Sequence, residues 1–129
     1  MKTLLFSFIL TIAITGNAQP GLRNSDKIKN LEIAFITREM NFTIDEAQHF
    51  WPIFNKYKME FKVLASNKNK DEDILDKQQR ILDFRKKYKA EFQKVIPSEK
   101  ANQFFIVEAK FREMIRKELK ERQSNIKNN

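Results

Sequence analysis

Apolar residues recur along this chain with the period of an α-helix. From Ala47 onward, Ala47, Phe50, Phe54, Tyr57, Phe61 and Leu64 follow a 3-4-3-4-3 spacing, which keeps them on one helical face and forms a packing seam. A strand would need alternation at every second residue, and none is visible. Thr43 with Glu46 after it makes a capping box, in which each residue's side chain bonds the other's backbone amide. The pattern predicts a helix over 44–65 that begins at this box. Pro52 falls about two turns inside it, removes the bond to the Gln48 carbonyl, and predicts a bend.

The neighbouring segments read the same way. Ser25 or Asn24 caps a first helix over 25–40, with Ile28, Leu31 and Phe35 as its stripe. The polar run Ser66–Lys70 marks a turn before a third helix over 71–95, which opens on Asp71, Glu72 and Asp73. Ile74, Ile81, Tyr88 and Val95 are spaced by heptads in it, with Phe92 on the alternate seam position and Gln78 and Arg85 in the same register. Pro97 ends that helix. A fourth, over 98–122, carries Phe104, Val107, Phe111 and Met114, widened by Ala101, Phe105, Ile115 and Leu119. The polar tail Gln123–Asn129 is expected to fray. Ala47, Phe50, Trp51, Lys56 and Tyr57 align with Ala101, Phe104, Phe105, Lys110 and Phe111 at one constant offset. That alignment fits either two helical hairpins of similar design or the matching expected between any two helices with aromatic seams.

Composition agrees with an all-α chain, because only 2 Gly and 3 Pro are present among 129 residues, too few for a sheet-and-turn fold. The first 18 residues read as an export leader. Lys2 is the basic start, Leu4–Ile14 the apolar run, and Gly16-Asn17-Ala18 the cleavage site. The apolar run is well short of the ~20 residues that span a bilayer. Cleavage near Ala18 places residues 19–129 in the periplasm or medium as a single helical domain without a transmembrane span. No cysteine is present, which excludes disulfides and thiolate metal sites.

The formal net charge of +8 falls by one when Lys2 leaves with the leader. On an exported protein such an excess points to acidic client proteins, acidic polymers or membrane phosphates rather than nucleic acid, although alternating charges on solvated helix faces account for most of it. The single histidine, His49, rules out paired-imidazole chemistry. With Asp45 one turn away and Met40 or Met59 from elsewhere, His49 is the weak metal alternative. The carboxylates Asp45, Glu46, Asp71, Glu72, Asp73 and Glu99 stand at helix starts, where capping explains them, and no pair is marked as buried. Neither a phosphate-binding Gly loop nor a G-x-S-x-G elbow occurs, so neither enzymatic activity nor a cofactor is expected.

The segments Phe42-Thr43-Ile44-Asp45-Glu46 and Ile96-Pro97-Ser98-Glu99-Lys100, placed on four helices behind a leader, resemble the LTxxQ family of periplasmic, Spy/CpxP-like proteins. Phe42 replaces the motif's Leu and Glu46 its Gln, and the second segment departs further. Glu46–Tyr57 and Phe104–Arg112 also resemble short exported proteins labelled sensors of ECF-type sigma factors. The first resemblance implies an all-α four-helix hairpin pair with a bent second helix and an antiparallel homodimer that binds unfolded proteins without nucleotide. The second implies a signalling partner in envelope stress. For a client or partner surface, the expected residues are Trp51, Phe54 and Phe105, with Arg85, Lys86, Lys87 and Lys89 supplying charge. A helical partner protein with a purely structural role is the remaining alternative.

Overall fold

The computed structural model describes residues 24–67 and 71–127; the expected leader and part of the turn before the third helix lie outside them. The described chain is all-α. It comprises α1 (Asn24–Met40), α2 (Ile44–Ser66), α3 (Ile74–Gln93) and α4 (Ser98–Lys127). α1 packs on α4, α2 on α3, and α3 on α4.

The joints follow from local chemistry. α1 stops where Asn41 takes a left-handed conformation at φ 46°, a position asparagine tolerates better than most residues. Two carbonyls at that end are met from α4, since Lys100 Nζ donates to Asn41 O at 3.1 Å and Gln103 Nε2 to Glu39 O at 3.3 Å. α2 then opens on the full capping box, with Glu46 N donating to Thr43 Oγ1 at 3.1 Å and Thr43 N to Glu46 Oε2 at 3.0 Å. It remains helical through Pro52.

The third helix starts later than expected. Asp71, Glu72 and Asp73 precede it, because Asp73 acts as N-cap and accepts from Leu75 N at 2.7 Å. Glu72 instead reaches Arg80 at 2.6 Å. α3 closes at Gln93, where Lys94, Val95 and Ile96 all turn back onto Glu91 and Phe92 carbonyls. Pro97 O accepts from Ala101 N at 3.0 Å and begins α4. α4 continues through the tail expected to fray and reaches Lys127, supported by pairs such as Glu118 with Arg122.

The core is aromatic. Phe50, Phe54 and Tyr57 of α2 meet Tyr88 and Phe92 of α3 and Phe104 of α4, all essentially fully buried. Phe50 alone contacts the rings of Phe42, Trp51, Phe54, Phe92 and Phe104. Such pairs contribute about 0.5–1.5 kcal/mol each beyond the area they bury. The α2 seam is the expected one.

α1 departs from its expected stripe. Leu31 is 55% exposed and Ile28 borders solvent, while Glu32, Ile36 and Met40 face inward at four-residue spacing. The apolar residues of α1 lie all around the helix, so their positions alone do not choose a face. The ion pair of Glu32 with Lys58 at 2.7 Å lets a carboxylate take an inward position. In α3, Ile74 of the heptad series is 62% exposed at the open end of the helix, whereas Tyr88 is buried. Met114 and Leu119 of α4 are likewise exposed.

Candidate partner-binding groove

Two glutamates are buried in this small core. Glu32 of α1 is 5% exposed and Glu108 of α4 is 3% exposed. Burying a carboxylate costs several kcal/mol unless cations meet it. Glu32 is met by Lys58 of α2. Glu108 is held by Arg112, one turn along α4, at 2.6 Å, and more loosely by Arg85 of α3 at 3.8 Å. Arg85 also lies over the Phe61 ring at 5.5 Å. The Tyr57 hydroxyl is buried beside Glu108 and Arg85, with no well-formed hydrogen bond among the described residues. Burial, reinforced by the Glu108 charge, pushes its ionisation well above the usual tyrosine range.

Each buried glutamate thus fixes one cation, Lys58 or Arg112, and both cations line the same open groove of about 860 Å³. Ile28, Phe111, Ile115 and Leu119 supply its apolar surface, with Phe111 buried at the base and Ile115 half-buried above it. Arg116 and Lys120 continue the row begun by Arg112 at four-residue steps along α4. That row has a rise of about 6 Å per step. Glu113 also lines the groove and is paired with Arg116. From Arg112 to Lys127 no residue of α4 is buried, so this half of the helix projects as one wall of the groove. A second hollow of about 360 Å³ lies between α2 and α3 around Val63, Leu64, Arg80 and Phe84.

The residues expected to bind a partner lie elsewhere. Phe54 is 1% exposed and belongs to the core, so it offers no contact surface. Trp51 is half-buried, its ring 5.1 Å from Phe50 and 5.3 Å from Phe54 in edge contacts. Phe105 is half-buried against Phe92 and Phe104. Among the cations of α3, Arg85 goes to Glu108, Lys87 to Glu60 at 3.6 Å and Lys89 to Asn102 at 3.3 Å, while Lys86 is exposed. Neighbouring residues of a helix point about 100° apart, so a run of basic residues is spread around α3 instead of forming one basic face. His49 Nδ1 is 2.8 Å from the Asp45 carbonyl oxygen and 3.6 Å from its carboxylate. Met40 is buried, and Met59 is more than two turns further along α2, so neither completes a ligand set with His49. Among the described residues no group of three or more His, Cys, Asp or Glu side chains is arranged to hold a metal.

The groove was not visible from any single helix, because its walls come from α1, α2 and the far half of α4. One signal existed. Ala101, Phe104, Glu108, Phe111 and Ile115 keep the same 3-4-3-4 spacing as the α2 seam, which puts Glu108 on the buried face. No helix among the described residues is long and apolar enough to cross a membrane. No known protein family, curated protein or solved structure matches the chain.

Proposed function

We propose that the protein is an exported, ATP-independent protein-binding module that holds unfolded clients or a signalling partner in envelope stress. The observation carrying this reading is the open groove whose apolar floor of Phe111, Ile115 and Leu119 is edged by Lys58, Arg112, Arg116 and Lys120. Apolar contact slows release and surrounding cations speed capture, which together suit a protein partner. Exposed Met59, Val63, Ile106 and Met114 add adaptable apolar contacts elsewhere on the surface. Hydrolysis of nucleotide has no role in this scheme, and no cofactor is required.

The LTxxQ-like layout belongs to the same proposal. In it, α1–α2 and α3–α4 are two hairpins of like design, α2 bends at Pro52, and two copies associate antiparallel. Glu46 pairs with Lys100 and Phe50 with Phe104, and each is the other's counterpart at the constant offset of 54, which supports a paired design. Light scattering of an unrelated unfolding protein tests the holding function. A several-fold excess of this protein without ATP should slow the rise in scattering, and an unchanged trace removes the chaperone reading. Sedimentation velocity with and without the client reads the oligomer in the same preparation.

A further inference from the structure

We propose that the groove between α1 and the far half of α4 takes an amphipathic helix with acidic flanks; this rests on the protein-binding reading and names its partner's chemistry. Three features select that occupant.

The first is shape. Phe111, Ile115, Leu119 and Ile28 share one open channel with the four cations, between α1 and the far half of α4. The channel follows α4 from Ala109 to Gln123, a rise of roughly 20 Å, or about four helical turns.

The second is backbone chemistry. The walls are helices, whose backbone groups are already paired within themselves, so the groove offers no strand edge. An extended peptide laid on Phe111, Ile115 and Leu119 would find no backbone partner in the groove and would pair its N–H and C=O groups only with water. A helix satisfies them internally and presents only side chains.

The third is charge. Four cations and two carboxylates line the channel; Lys58 is paired with Glu32 and Arg116 with Glu113, so the excess positive charge lies on Arg112 and Lys120. Arg112 is bound to Glu108 through Nη1 and is half-exposed, so its other N–H groups are free to donate outward. Arg112, Arg116 and Lys120 repeat at the step at which a partner helix presents carboxylates four residues apart. A basic helix would meet this row with like charge.

The test uses two labelled synthetic peptides of about four turns with the same leucine face, one flanked by glutamates and the other by lysines. Fluorescence anisotropy against the intact protein should show binding of the acidic peptide alone, weakening as salt rises. Arg116→Glu combined with Lys120→Glu should weaken it roughly tenfold, because both side chains stand at the solvent edge and each ion pair there is small. Leu119→Ala should weaken it independently of salt, and circular dichroism should show both variants as helical as the wild type. Equal binding of the two peptides, or affinity unmoved by these substitutions, overturns the proposal. So does binding of phosphatidylserine vesicles with no binding of either peptide, which would make the surface a membrane contact. Peptides left unbound by a protein that still suppresses aggregation remove the groove assignment and leave the protein-binding reading in place. A bound acidic peptide with no suppression upholds the groove and removes the holding function.

Discussion

Phe50 of α2 and Phe104 of α4 meet edge to face, their ring centroids 5.4 Å apart at an interplanar angle of 71°. They are counterparts at the offset of 54 residues, and Glu46 and Lys100, separated by the same offset, also touch. The core is therefore tied together where like positions of α2 and α4 face each other. Phe50→Leu and Phe104→Leu are each expected to destabilise the fold. The double variant should lose less than the sum by about 0.5–1.5 kcal/mol, the usual size of an aromatic pair's coupling. Urea midpoints of the four proteins measure the difference, and strict additivity would show the rings to be energetically independent.

The capping box offers a local test. Thr43→Ala removes the acceptor for Glu46 N and should cost about 1 kcal/mol. The fall in denaturant midpoint at constant slope measures it. An unchanged midpoint would mean that the Lys100 contact alone holds this helix start.

Lys100 links three segments, because its ammonium donates to Glu46 and to Asn41 O and lies 5.9 Å from the Phe42 ring. The hydrogen bond from Lys100, then that from the Thr43 backbone, holds the Glu46 carboxyl below its usual range. Glu60 is lowered chiefly by Tyr88, and Glu91 by Lys94. A folded-state value below the unfolded one gives stability that is present above the unfolded value and is lost as pH falls through the folded one. The melting temperature should therefore drop as pH falls below about 4. Lys100→Met should lower it at neutral pH, with the gap to wild type narrowing in acid as Glu46 protonates. A gap that stays constant with pH would assign the loss to packing on Phe42.

Helix order, the α2 seam and the joints at Thr43 and Pro97 were legible in the sequence because each is set by residues close in the chain. The inward face of α1 was not. Glu32 reads as solvent-facing until Lys58, on another helix, is known to meet it, and its burial shifts the face from Leu31 to Ile36 and Met40. Trp51 and Phe54 are expected at a partner surface, but their ring contacts with Phe50 use that surface for the core. The groove depends on Ile28 and Glu32 of α1, Lys58 of α2 and the far half of α4 coming together, a relation between distant segments that no local spacing encodes.

His49 provides a plain test of the metal alternative. Its Nδ1 is already beside the Asp45 carbonyl. Zinc, nickel, cobalt or copper added to tag-free protein is expected to leave the melting temperature unchanged, since a specific ligand would raise it by mass action. A saturable shift abolished by His49→Ala would restore a metal role.

Glu108 separates folding from function. Glu108→Ala should cost about 2–4 kcal/mol, because it opens space in the core between Phe104 and Phe111. Glu108→Leu fills the same seam position between Phe104 and Phe111 with apolar volume. Arg85 keeps its place over Phe61, and both arginines retain access to water, so this variant should fall within about 1 kcal/mol of wild type. What it cannot replace is the anchor on Arg112, which at 2.6 Å holds that guanidinium at the groove wall. Near-native stability with weakened binding of an acidic helix would mean that the buried glutamate is there to position a binding cation. Native binding in a stable Glu108→Leu protein would mean that the row of Arg116 and Lys120 suffices, and that Glu108 serves only to select the packing of α4 against α2 and α3.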